Sequence, residues 1–155
     1  VLAEERSGEE LEPLCAGATL ARGLGRSYGD SSLPLAGSTA VCSVRADRII
    51  AFDESTGILR AEAGFSLHEL YKIFLPRGFF TPVSPGTQFV TLGGMVASDV
   101  HGKNHHRDGT FGRHVKSLKV RVADGRVITC SPAVEPELFY GSIGGMGLLG
   151  VILEV

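Results

Sequence analysis

Cysteine is scarce in this chain, and its placement excludes two classes of small protein. Cys15, Cys42 and Cys130 are widely separated, with no C-x-x-C pair. Neither a disulfide framework nor a zinc site is indicated, and all three read as buried thiols. Long apolar runs are also missing. The longest uncharged stretch, Gly78 to Ser98, contains Pro82, Pro85 and several polar residues, which rules it out as a membrane span. Nor does one sign of charge dominate: 15 Lys/Arg against 17 Asp/Glu leave a net charge of −2, which argues against an electrostatic nucleic-acid binder. No signal peptide is visible, although the chain opens on Val1 rather than methionine.

Glycine is plentiful, and it is grouped. Residues 21 to 30 read ARGLGRSYGD, in which Gly23, Gly25 and Gly29 surround Arg22 and Arg26. Closely spaced glycines let successive N–H groups turn toward one anion, forming a concave nest for a pyrophosphate, and the arginines offset its charge. Two commoner phosphate loops are excluded. A G-x-G-x-x-G fingerprint would need glycine where Tyr28 stands, and Asp30, Ser31, Ser32 and Pro34 read as loop rather than helix. A Walker A loop would need glycine at Ala97 and Ser or Thr at Asn104 around Gly102-Lys103. The bland alternative is a tight surface turn.

A second glycine-rich stretch, SPGTQFVTLGGMVASDVHGK at 84 to 103, tips the balance toward one long ligand. Pro85-Gly86 reads as a turn and Thr91 as a helix N-cap, with Gly93-Gly94 in the first turn. The 155 residues allow one domain, and 43% hydrophobic content suffices for a core. Charge is locally uneven: from His101 to Arg126 seven Lys/Arg face two Asp. A solvated strand face accounts for most of that excess, and a nearby anionic group for Lys103 and Arg107.

The periodicities predict mixed elements: a helix over 8–15, strands over 19–22 and 40–44, and a hairpin from 49–52 and 58–63. Ser66 with Glu69 forms a capping box for a helix whose Leu67, Leu70, Tyr71 and Phe74 share one face, ended by Pro76 to Gly78. A second hairpin joins 118–122 to 126–130 through Asp124-Gly125. A short helix over 135–141 and a closing strand over 148–155 complete an α+β pattern without regular βαβ alternation.

These runs resemble the FAD-binding domain of the vanillyl-alcohol oxidase (PCMH-type) flavoproteins, over about Gly17 to Val155. The likeness rests on ARGLGRSYGD, PGT at 85–87, VTLGG at 90–94, HGKNHH at 101–106, FGRHV at 111–115 and GGMGLLGVI at 144–152. HGKNHH followed by FG is the most specific of these, and it is most similar to the branch that oxidises decaprenylphosphoryl-ribose. Alditol and aldonolactone oxidases share the glycine loops and are the runner-up.

The resemblance implies two α+β subdomains with FAD between them, in one domain over 1–155, and a substrate-binding domain beyond it. It implies that Ala21, Arg22, Gly23, Leu24, Gly25, Arg26, Ser27, Tyr28, Gly29, Asp30 and Ser31 wrap the pyrophosphate. Gly86, Thr91, Leu92, Gly93 and Gly94 would line the cofactor, Ser98, Asp99, Val100 and His101 would approach the flavin ring, and Ile152 the adenosine. Covalent members attach the flavin through a histidine at the place held here by Arg26. A guanidinium cannot serve as that nucleophile, so noncovalent FAD is expected.

His101 and Lys103 are pocket-lining candidates, with Tyr28 either lining the pocket or packed against its own loop. The resemblance puts the base outside these residues, which alone are expected to be inactive. It implies oxidation of a secondary sugar hydroxyl, a small or lipid-linked sugar substrate, an electron acceptor of unassigned type and a reductase partner subunit. The expected setting is a bacterial cell, cytoplasmic or peripherally membrane-associated, in cell wall biosynthesis. Two rival readings stand beside this one. One is a flavin-binding module without catalysis. The other is a metal module built on His101, His105, His106 and His114, although Gly102, Gly109 and Gly112 interrupt any helix there and no Cys or carboxylate completes a ligand set.

Overall fold

The computed structural model describes residues 4–18 and 20–155, so Thr19, the expected start of the strand over 19–22, lies outside the described residues. Among these, β1 (Glu4–Ser7), β2 (Leu20–Arg22) and β3 (Thr39–Cys42) form an all-parallel sheet in the order β1-β3-β2. The chain from β2 to β3 is the first glycine loop and its tail. β4 (Ile49–Asp53) and β5 (Ile58–Ala61) make an antiparallel hairpin. Asp53 nucleates its turn by accepting from Ser55 N and Oγ and from Thr56 Oγ1. Those hydrogen bonds hold its carboxyl below the usual carboxylate range.

Helix α2 (Leu67–Phe74) starts as its sequence predicts: Ser66 Oγ accepts from Glu69 N at 3.1 Å, a cap worth about 1 kcal/mol. The return half of the box is replaced, since the Glu69 carboxylate meets Lys72 at 3.0 Å. Leu67, Leu70 and Phe74 enter the core, and Gly78 ends the following 3₁₀ turn at φ +83°. After α3 (Leu92–Ala97) and α4 (His105–Asp108), the antiparallel strands β6 (Leu118–Arg121) and β7 (Val127–Cys130) follow. α5 (Pro136–Ser142) and β8 (Val151–Glu154) close the chain in a sheet ordered β7-β6-β8.

β8 joins the parts. Successive side chains on a strand point to opposite faces, so Ile152 enters a large core with Val83, Met95, Val120 and Phe139. Leu153 enters a smaller one with Leu11, Cys15, Val41 and Ala46. Its backbone also pairs with the segment after β5, through Ala63 N to Leu153 O at 2.9 Å and reciprocal bonds between Ala61 and Val155. The mixed α+β class is as expected, with local differences. The closing strand expected over 148–155 is confined to Val151–Glu154, and one helical turn, α4, fits between Gly102 and Gly109, glycines expected to interrupt any helix. The helix expected over 8–15 shrinks to α1 (Leu11–Leu14), and β1 precedes it. Glu-Glu-Arg-Ser has no apolar alternation to announce a strand; pairing to β3 creates it.

Glu154 anchors this junction. Arg60 Nε donates to it at 2.9 Å and Lys119 Nζ at 3.0 Å, with the carboxylate side chain 15% exposed. Burial alone pushes its carboxyl up, but the bonds from Arg60 and Lys119 outweigh that and hold it below the ordinary value. A depressed folded-state value adds stability that is complete above the unfolded carboxylate value and disappears as pH falls through the folded one. Glu154→Gln should therefore cost about 1–2 kcal/mol at pH 7, and the gap to the parent protein should narrow progressively as pH falls below the ordinary carboxylate range. Urea unfolding across an acid pH series measures it; a gap that does not change with pH would refute the ionic origin.

Candidate functional site

The two glycine-rich loops meet. Gly23 packs so closely on Thr91 that a Cβ there would stand 2.3 Å from Thr91 Oγ1. Three residues on, Arg26 Nε donates to Phe89 O at 3.3 Å. The second loop also folds on itself, since a Cβ on Gly102 would lie 2.7 Å from Ser84 O. Asn104 Nδ2 ties that corner to Pro82 O at 2.9 Å, and Tyr71, Thr81 and Ser84 join their hydroxyls beneath it.

The loops differ in the donors they offer. In the second, Thr91 Oγ1 caps α3 by accepting from Gly94 N at 3.2 Å, Leu92 N donates to Phe65 O and Gly93 N to Ala63 O. A Cβ on Gly93 would lie 2.9 Å from Ala63 Cβ, so this glycine serves helix packing. In the first loop, no N–H from Gly23 to Gly29 donates to any partner among the described residues. Gly25 and Gly29 hold φ at +65° and +62°, the left-handed turns that a nest of amides requires.

Arg22 lies under the loop. Its Nη1 pairs with Glu5 at 2.8 Å, which already meets part of its charge, and its Nε is buried without a partner among the described residues. Tyr28 is 98% exposed, so the alternative in which it packs against its own loop is corrected: no described residue covers the ring. Leu24, Arg26, Gly29, Asp30 and Ser31 are exposed, and Ala21 and Ser27 partly so.

Thr91 and Leu92 are buried, and Ile152 lies inside the main core at 7% exposure, paired with Val120. Gly86 is exposed, with open space where a side chain would be. Ser98 is exposed and Val100 half-buried. Asp99, at φ +41°, turns the chain after α3 and accepts from Gly112 N at 2.9 Å. That turn delivers His101 to the surface, bridged to Thr110, its ring 5.2 Å from His105. Lys103 is exposed, with no ion pair among the described residues. His105 and His114 reach the carbonyls of Gly102 and Asp108, and no group of three metal-ligating side chains gathers among the described residues. Sequence reasoning missed Glu5, Phe89 and the Tyr71–Thr81–Ser84 cluster, none of which carries a local motif.

Residues 16–131, three quarters of the chain, match the family described as FAD binding domain. The chain belongs to that family. This FAD-binding domain is 44% identical over 136 residues to decaprenylphosphoryl-beta-D-ribose oxidase of Mycolicibacterium smegmatis, covering 87% of the chain and 29% of the relative. It is 25% identical over 154 residues to D-arabinono-1,4-lactone oxidase of Yarrowia lipolytica, covering 92% of the chain and 29% of the relative. It is 30% identical over 130 residues to the mitochondrial D-2-hydroxyglutarate dehydrogenase of Rattus norvegicus, covering 80% and 24%. The FAD-binding domain thus spans less than a third of the length of these relatives. Its cofactor is FAD, and the residues fit it: the first loop presents amides with no partner among the described residues and left-handed glycines where a pyrophosphate needs donors and no side chains.

Proposed function

We propose that this FAD-binding domain serves an oxidoreductase that oxidises a secondary hydroxyl of a sugar, with a decaprenylphosphoryl-ribose type of lipid-linked sugar as substrate. The observation that carries the reading is the set of amides from Gly23 to Gly29 without a partner among the described residues, held against the second loop at Thr91 and Phe89. The identity to the mycobacterial oxidase supports the substrate class.

Residues 21–31 would hold the pyrophosphate, mostly through backbone N–H, with Arg26 offsetting its charge. Because the amides of Leu92, Gly93 and Gly94 are engaged internally, the second loop would shape the site by close packing rather than by donating. Gly86, Ser98, Asp99, Val100 and His101 would line the flavin side, in the cleft between two α+β subdomains. Bound FAD supplies the hydride acceptor. His101 and Lys103, both exposed, would bind and orient the substrate rather than take its proton. The base, a substrate-binding domain and a reductase partner belong to the whole protein.

A second reading, oxidation of an aldonolactone or alditol, is favoured by the arabinonolactone oxidase relative. Two measurements separate and test these. The intact yellow protein should release its flavin into the supernatant on acid precipitation, because Arg26 stands where a linking histidine would be; flavin retained on the polypeptide overturns the noncovalent assignment. Anaerobic addition of a phosphoribosyl lipid should bleach the flavin, whereas bleaching only by arabinonolactone or an alditol selects the second reading.

A further inference from the structure

Two runs that carry the family likeness, FG at 111–112 and GGMG at 144–147, lie outside the two glycine loops, yet both close on one turn, residues 98 to 101. Gly144 N donates to Val96 O at 2.9 Å and Met146 N to Ala97 O at 2.8 Å, so the third glycine run clasps the end of α3. From the other side Phe111 N donates to Val100 O at 2.9 Å, and Thr110 bridges His101. Asp99 sits where they meet. Its Oδ1 accepts from Gly112 N at 2.9 Å, 13 residues on. Both facing glycines make room for it: a Cβ on Gly112 would stand 2.8 Å from Asp99 Oδ1, and one on Gly144 3.4 Å from Asp99 Cβ.

The backbone at Asp99 has φ +41°, a left-handed conformation that glycine adopts freely and aspartate only at some cost. What aspartate adds is an acceptor. Its partner Gly112 is buried beside Phe111, so the anchor is fixed, and a carboxylate bonds such an N–H more strongly than a neutral acceptor does. His101, two residues after Asp99, is exposed, and its ring has no hydrogen bond among the described residues, only the His105 ring 5.2 Å away. The turn therefore decides where that imidazole points.

We propose that Asp99 is a positioning residue: by latching the turn to Gly112, its carboxylate aims the His101 ring at the substrate beside the flavin. The backbone of Asp99 lines the flavin side, while its side chain is spent on the latch. The inference rests on the role given above to His101, and it names the group through which that histidine is oriented. A displacement of about 1 Å at an orienting group lowers efficiency by up to about a hundredfold, so loss of the latch shows in kinetics before it shows in stability.

The test compares Asp99→Gly, which suits the backbone but removes the acceptor, with Asp99→Asn, which keeps an acceptor and tolerates the turn. In Asp99→Gly the relief of backbone strain opposes the lost bond, so the urea midpoint should move little. The C2–H proton resonance of His101 in the flavin-loaded intact protein, assigned by its loss in His101→Ala, should shift in Asp99→Gly and return in Asp99→Asn. Anaerobic bleaching by a phosphoribosyl lipid should need about tenfold more lipid at half-saturation in Asp99→Gly, with the limiting rate changed less than about threefold, and Asp99→Asn should recover most of the loss. Combined with His101→Ala, Asp99→Gly should cost nothing further, because the group it acts through is gone. Losses that multiply in the double variant overturn the action through His101. An unmoved His101 resonance with parental kinetics in Asp99→Gly overturns the latch, and so does an Asp99→Asn protein as impaired as Asp99→Gly. If neither the lipid nor arabinonolactone bleaches the parent protein, the substrate reading fails, and the His101 resonance still decides the latch: unmoved in Asp99→Gly, it overturns it.

Discussion

Gly64→Ala should leave little folded protein. A Cβ at this position would lie 1.8 Å from Ser43 O and 2.5 Å from Ala46 O, both backbone atoms. The same strands are held by Gly64 N donating to Ala46 O at 2.9 Å. Relief therefore requires moving the chain after β3 away from the chain after β5, which opens the buried surface around Ala46 and Ala63. The expected cost is on the order of 3 kcal/mol or more, a large part of the stability of a domain this size. Gly37→Ala is the control: its φ is +79° but nothing lies within 4 Å of the added carbon, so only the backbone term of about 1 kcal/mol applies. Urea unfolding followed by circular dichroism compares the two, and equal midpoints would show that the contact at Gly64 relaxes freely.

Gly25→Val should abolish flavin retention while the domain stays folded. Its φ of +65° is a conformation that β-branched residues all but never take, and the new Cβ would stand 2.9 Å from Arg22 Nη2. The loop would have to refold, taking its unpaired amides out of register for one anion. The loss should reach about 3–4 kcal/mol, two to three orders of magnitude in FAD affinity. Stability should change by far less, because the loop is half-exposed and its amides carry no internal bonds among the described residues. Quenching of flavin fluorescence on titration with the apoprotein reads the affinity. A folded variant with parental affinity would reduce the first loop to a surface turn.

What was legible in the sequence was what short-range chemistry dictates. The Ser66 cap and the face of α2 follow from local spacing. Both hairpins follow from their turn residues, and the concave first loop from glycines that need φ above zero. The second loop was legible as a place but not as a role. Thr91, Leu92, Gly93 and Gly94 read as cofactor lining, and what the sequence hides is that Phe65 and Ala63, about thirty residues upstream, take two of the three amide donors there while Thr91 itself takes the third. Nor does the sequence tell that the Ile152 side chain enters the main core, because which side of a strand faces the core depends on register. The requirement for glycine at 64 arises only when 43–46 arrives beside it, and the requirement for an acceptor at 99 only when Gly112 does. No periodicity encodes such meetings.

The pairing of residues 61–63 with 153–155 has a consequence for how the chain acquires its structure. Those bonds, and the Arg60–Glu154 contact 94 residues apart, place a non-local closure at the centre of both cores. Such closures must meet their loop entropy before any contact rewards it. During synthesis at about 5–20 residues per second, α2 and the β4–β5 hairpin can form early. Ala63, Val41 and Val120 must then wait several seconds for Leu153 and Ile152 to emerge, with apolar surface open to solvent throughout. That interval is when the nascent chain is most open to aggregation through its uncovered apolar surface.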